Sequence, residues 1–143
     1  MALGTEPPAV REFDERECWA YLQQHHFGRV AVGAGGDLAI YPVNYLADMG
    51  RIRFRTVPGA KLIELLLDRR VAFEIDGQGE DVAWSVLVKG TAEEIELSPD
   101  RVSKPKLPET PWVPGPRDAV VEITPVSMTG RVFTKERRAA DRA

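Results

Sequence analysis

Apolar residues recur at two different spacings along this chain, and the change of spacing divides it into elements. Around residues 14–27 the spacing is helical, with Cys18, Leu22 and Trp19 as the expected inner face. Asp14 stands three residues before Glu17, the pattern of a capped helix start. Phe27-Gly28 marks the expected end of that helix. From Arg29 the period falls to that of strands. Arg29–Gly33 and Leu38–Leu46 flank Gly35-Gly36-Asp37, a hairpin signal. Asp48-Met49-Gly50 reads as a second turn and Arg51–Val57 as a third strand. Pro42, inside the second strand, predicts a bulge or an edge position.

An amphipathic helix near residues 60–68 follows, then a strand at Arg70–Asp76 and a loop at Gly77–Asp81. Val82–Leu97 is a long strand with Val82, Trp84, Val86 and Val88 on one face and a bend at Gly90. Prolines punctuate residues 98–117, where one short helix is expected at Asp100–Lys104. Ala119–Thr124 is the last core strand, continued past Pro125 by Met128–Phe133. Residues 1–11 read as a flexible leader, 12–133 as the domain and 134–143 as a charged tail. Antiparallel strands joined by hairpins, with a helix inserted between neighbours, predict a mainly β fold with short helices, closed into a small barrel.

The 143 residues suit one domain, large enough to bury a core. A net charge of −3 supplies no global field for nucleic acid. The apolar runs fall short of the ~20 residues a membrane span requires. Cys18 is the single cysteine, which excludes an internal disulfide and any cysteine-rich metal site and suits a cytoplasmic location.

The window with the most chemistry is Arg51-Ile-Arg-Phe-Arg-Thr-Val-Pro-Gly-Ala-Lys61-Leu62. A strand that ends in Arg55-Thr56, turns at Pro58-Gly59 and opens a helix with Lys61 suits a phosphate. Arg55 can fork onto two oxygens, Lys61 adds a point charge, and the helix start adds free N–H groups. A solvated basic loop is the alternative. Asn44 could present its amide to a ligand or cap a turn. Trp84 alternates with valines and so reads as packing, which turns Ser85 the other way. Glu74 and Asp76 share a strand face and could form an acid pair. His25-His26 are about 100° apart on a helix and lack a third ligand nearby, so they read as a surface pair; no metal site is expected. Trp112 could cover a pocket or fix its loop to the barrel.

Six segments, in order, resemble one family: Gly28-Arg29-Val-Ala-Val, Tyr41-Pro42-Val43-Asn44-Tyr45, Ile52-Arg-Phe-Arg-Thr56 with Gly59-Ala-Lys61-Leu62, Val71-Ala-Phe-Glu-Ile-Asp76, Trp84-Ser85-Val-Leu-Val-Lys-Gly90 and Thr129-Gly130-Arg131. Over roughly residues 12–133 the chain is similar to the pyridoxamine 5′-phosphate oxidase-like flavin-binding split barrels, and to their small actinobacterial branch in particular. The resemblance implies a six-stranded antiparallel split β-barrel that forms a homodimer with FMN in clefts between subunits. It implies that Pro42, Val43 and Asn44 line the flavin ring, that Arg55, Thr56, Lys61 and Leu62 belong to the phosphate end, and that Trp84 and Ser85 reach the ring or ribityl chain. The apolar face around Val82–Val88 is then expected to lie against the second subunit.

The Arg-Leu-x-Pro motif with which true pyridoxamine phosphate oxidases grip their substrate is missing; the chain runs Arg131-Val-Phe-Thr-Lys-Glu-Arg-Arg instead. The expected function is therefore an FMN-dependent oxidoreductase acting on another small molecule. A deazaflavin-dependent reductase of the same fold, or a flavin- or nucleotide-binding module for storage or sensing, are the alternatives. Haem-binding members exist, but the histidine pair does not favour haem here. No catalytic residue is identifiable.

Overall fold

A computed structural model describes residues 9–56, 59, 64–65, 67–95 and 119–135. These residues form seven strands and the helix α1, Glu15–Gln24. The strands are β1 Ala9–Glu12, β2 Phe27–Ala34, β3 Asp37–Asp48, β4 Arg51–Thr56, β5 Arg70–Gln78, β6 Val82–Ile95 and β7 Ala119–Thr134. Their order is β1-β7-β4-β3-β2-β5-β6, and β6 also pairs with β7. Six strands thus close a barrel through antiparallel pairings, and β1 extends the sheet beside the end of β7. The mainly β split-barrel expectation holds. Ala9–Glu12, expected within the leader, is instead a paired strand.

Strand alternation fills the interior. Val30, Val43, Tyr45, Ile52, Phe54, Phe73, Val86, Val88, Val121 and Ile123 are buried within one core. This corrects one expectation. Val86 and Val88 point into the barrel, both at 0% exposure, and so cannot supply an apolar face for a second subunit. Only Val82, at the mouth of that row, is exposed.

Both hairpins follow their turn chemistry. Gly35 and Gly36 take φ of 58° and 86°, and Met49 and Gly50 take 50° and 75°. Two successive positive φ values give the turn whose twist matches paired strands. Pro42 sits where β3 changes partners. Residues 37–44 pair with β2, whereas Tyr45–Asp48 pair with β4. Its missing N–H therefore falls on a locally open side, as the edge reading requires.

α1 packs over β3, β6 and β7. Its start is a reciprocal capping box: Glu17 N–H donates to Asp14 at 2.8 Å and Asp14 N–H donates to Glu17 at 3.4 Å. It ends at Gln24 with His25 as cap, earlier than expected, because Phe27-Gly28 already belongs to β2. Gly28 is a packing glycine: a Cβ there would lie 2.7 Å from the Phe73 ring and 2.8 Å from the Glu74 carbonyl oxygen. Cys18 and Leu22 are buried on the inner face of α1, and Trp19 packs at its margin. Glu64, Leu65 and Leu67 are helical, and Leu65 enters the core. The helix expected at residues 100–104, and Trp112, lie outside the described residues.

Tyr45 ties α1 to the barrel, its hydroxyl donating to the Leu22 carbonyl at 2.8 Å. Burial raises its phenol well above the ordinary value. In the unfolded chain a phenol ionises near pH ~10. The folded state holds its proton longer, so this contribution is intact below pH ~10 and is lost as pH rises beyond it. Tyr45→Phe should cost about 1 kcal/mol at neutral pH. It should also reduce the alkaline loss of stability, read as urea midpoints between about pH 9 and 11.

Candidate functional site

The outer surface of the barrel carries the candidate chemistry, and strand register sets its layout. Arg29 on β2 faces Pro42 on β3 and Glu74 on β5; Glu74 faces Leu87 on β6, and Leu87 faces Thr129 on β7. A parallel row places Asn44 beside Phe27, and Asp76 beside Ser85, which faces Arg131. These outward positions alternate with the core positions, as pleating requires.

At one side of this surface the β3–β4 pairing starts at Tyr45 opposite Phe54, and Asn44 and Arg55 are the next residues beyond that pair on their strands. Both side chains are half-buried and outward. Thr56 points the opposite way and is 2% exposed. The structure therefore does not bring the Arg55 and Thr56 side chains to one face; only the backbone of Thr56 adjoins Arg55. Pro42 is exposed, whereas Val43 is fully buried, so Val43 can meet a ligand only through its backbone. Gly59 is exposed. Lys61 and Leu62 lie outside the described residues. The helical residues that follow are anchored to β3, because the Tyr41 hydroxyl donates to Glu64 at 2.7 Å.

Trp84 and Ser85 likewise diverge. Trp84 packs beneath α1, its ring centroid 4.6 Å from those of Tyr21 and His25. Its indole also occupies the space over Gly77, where a Cβ would lie 2.7 Å away. His25 is consequently part of an aromatic stack and bonds the Tyr21 carbonyl through Nδ1 at 2.8 Å, while His26 is exposed. The described residues contain no metal-binding cluster.

Ser85 opens onto a cavity of about 350 Å³ lined by Glu74, Ser85, Leu87, Thr129, Gly130, Arg131 and Phe133. Beside it, Arg29 bonds Glu74 at 2.6 Å and also Asp76. The acid pair is thus real, with a guanidinium between the two carboxyls. Desolvation and the hydrogen bond with Asp76 push Glu74 above the usual carboxylate range. The same hydrogen bond, together with Arg29, holds Asp76 below it. Period-two alternation could have put Thr129, Arg131 and Phe133 on one face, but not opposite Ser85 and Leu87, because register is invisible in the sequence.

A second, more apolar groove of about 420 Å³ lies over the β2–β3 hairpin, floored by Ala31, Gly33 and Ala72 and walled by Leu38, Ile40 and Arg70. Leu38 is 87% and Ile40 68% exposed.

The family model for pyridoxamine 5′-phosphate oxidase matches residues 14–132, and the chain belongs to that family. An uncharacterised protein of Mycobacterium tuberculosis is 34% identical over 128 residues, covering 85% of this chain and 84% of its own. A crystal structure from Corynebacterium glutamicum, of a candidate pyridoxamine 5′-phosphate oxidase, is 36% identical with a TM-score of 0.78; the match covers 89% of this chain and all of that one. An FAD-binding protein of Mycobacterium smegmatis is 26% identical with a TM-score of 0.67, covering 87% of this chain and 98% of its own. Among the described residues no helix is long and apolar enough to cross a membrane.

Proposed function

We propose that this protein is an FMN-binding oxidoreductase for a small molecule other than pyridoxamine phosphate. The observation that carries the reading is that Asn44 and Arg55, the next residues beyond the Tyr45–Phe54 pair of β3 and β4, both lie between buried neighbours and so turn outward. An amide and a forked cation at a strand end, followed by Gly59 and Lys61, suit the polar edge and phosphate of one flavin nucleotide. The FAD-binding relative supports a flavin in this fold. The flavin would supply hydride transfer, and the chain would bind and orient it.

Asn44 and Ser85 are three strand spacings apart on a curved sheet, roughly 14 Å along its surface. One flavin ring contacts both most simply if they come from different copies. The homodimer is part of this proposal, and its contact surface is the outward face with Leu38, Ile40 and the groove beneath them. Exposed apolar groups grouped in this way favour a partner. Light scattering at micromolar concentration should give twice the 15.9 kDa chain mass. Ile40→Asp should shift the protein toward monomer.

The test of the reaction class is anaerobic mixing of the FMN-loaded protein with pyridoxamine phosphate. The flavin should stay oxidised and no pyridoxal phosphate should form, whereas a nicotinamide donor should bleach it. Rapid bleaching by pyridoxamine phosphate with aldehyde release would restore the vitamin B6 reaction.

A further inference from the structure

The cavity in front of Ser85 contains more polar groups than a packing gap requires. The side chain of Arg131 is exposed and makes no ion pair or hydrogen bond with another described residue. The hydroxyls of Ser85 and Thr129 also make no side-chain hydrogen bond among the described residues. All three converge because β6 and β7 pair Ser85 with Arg131 and Leu87 with Thr129. The opposite wall differs in kind. Glu74 is held by Arg29 at 2.6 Å, and Arg29 also bonds Asp76, so one guanidinium is shared between the two carboxyls. Leu87 and Phe133 supply apolar surface to the same space. A guanidinium fork with two hydroxyls recognises an oxyanion, and an apolar wall beside it suits a hydrocarbon body.

We propose that this cavity binds a small organic acid, its oxyanion group on Arg131, Ser85 and Thr129 and its apolar body against Leu87 and Phe133. It rests on the flavin reading only in making this ligand the substrate, since Ser85 is shared by the cavity and the expected flavin cleft. The anion recognition itself stands on the cavity alone.

Calorimetric titration of the FMN-loaded and the FMN-free protein tests it, with benzoate and phenyl phosphate as acids and benzyl alcohol as the uncharged control. The two acids distinguish a carboxylate from a phosphate ligand. At least one should saturate, with the alcohol about tenfold weaker or more, the scale of a charge-assisted pair. Arg131→Gln should weaken that acid about tenfold and leave the alcohol and FMN affinities unchanged. Arg131→Lys should restore part of the loss, since it keeps the charge without the fork. Near-ultraviolet circular dichroism should show each variant folded, as an exposed side chain implies. Saturation by neither acid overturns the proposal. So does a variant that loses FMN affinity while acid binding stays intact, because Arg131 would then belong to the flavin site. If FMN does not bind at all, the flavin reading fails, yet the titration of the flavin-free protein still decides the cavity.

Discussion

Gly90→Val should unfold or nearly unfold this protein, with a loss of at least about 3 kcal/mol. Gly90 sits at the register shift between β6 and β7. A Cβ there would lie 2.3 Å from the Thr124 carbonyl oxygen and 3.0 Å from its carbon. The obstacle is backbone, so no rotamer change relieves it. The two longest strands would have to part where they form the closing seam of the barrel. The same seam holds Ser85 against Arg131, so the cavity should be lost with the fold. Gly79 is the control: nothing lies within 4 Å of its would-be Cβ. Gly79→Ala should stay within about 0.5 kcal/mol. Urea denaturation midpoints of the three proteins measure both, and a Gly90→Val midpoint close to wild type would show that the bulge yields.

The second large effect concerns the ligand. Lys61→Ala should weaken FMN binding by about 1–3 kcal/mol, the worth of a charge-assisted hydrogen bond. Riboflavin, which lacks the phosphate, should bind the wild type weakly and be almost indifferent to the change. Fluorescence titrations of both ligands against both proteins give the comparison. Equal losses for the two ligands would remove Lys61 from the phosphate end.

Most elements were legible in the sequence for local reasons. The Asp14–Glu17 box, the Gly35-Gly36 and Met49-Gly50 turns and the bend at Gly90 are each signalled by residues within a few positions of one another. What stayed hidden depends on long-range pairing. Alternation showed that Val82, Trp84, Val86 and Val88 share a face, but whether that face points inward depends on strands far away in sequence. It points inward, with Trp84 at the margin under α1. Gly28 looked like a helix terminator, because the Phe73 ring that requires it lies 45 positions further on. Pro42 read correctly as an edge residue, yet the cause is the change of β3 partners at Tyr45.

The candidate site divides in the same way. Arg55, Thr56 and Lys61 stood out because they are close in sequence, but strand pleating turns Arg55 and Thr56 to opposite faces. Asn44 turns outward just beyond the Tyr45–Phe54 pair, as Arg55 does, and that nearness depends on pairing between β3 and β4. Arg131 stood out merely as part of a motif, since its opposition to Ser85 arises from pairing between β6 and β7. Arg29, Glu74 and Asp76 assemble from two strands, and only the two acids could be paired by spacing.

The outer surface of this barrel is proposed to bind one flavin nucleotide per chain. Titrating the purified protein with FMN, and following quenching of flavin fluorescence, tests it most directly. A saturable curve with one FMN per chain, two per dimer, is expected. Absence of saturable binding by FMN, with FAD equally inert, would contradict it.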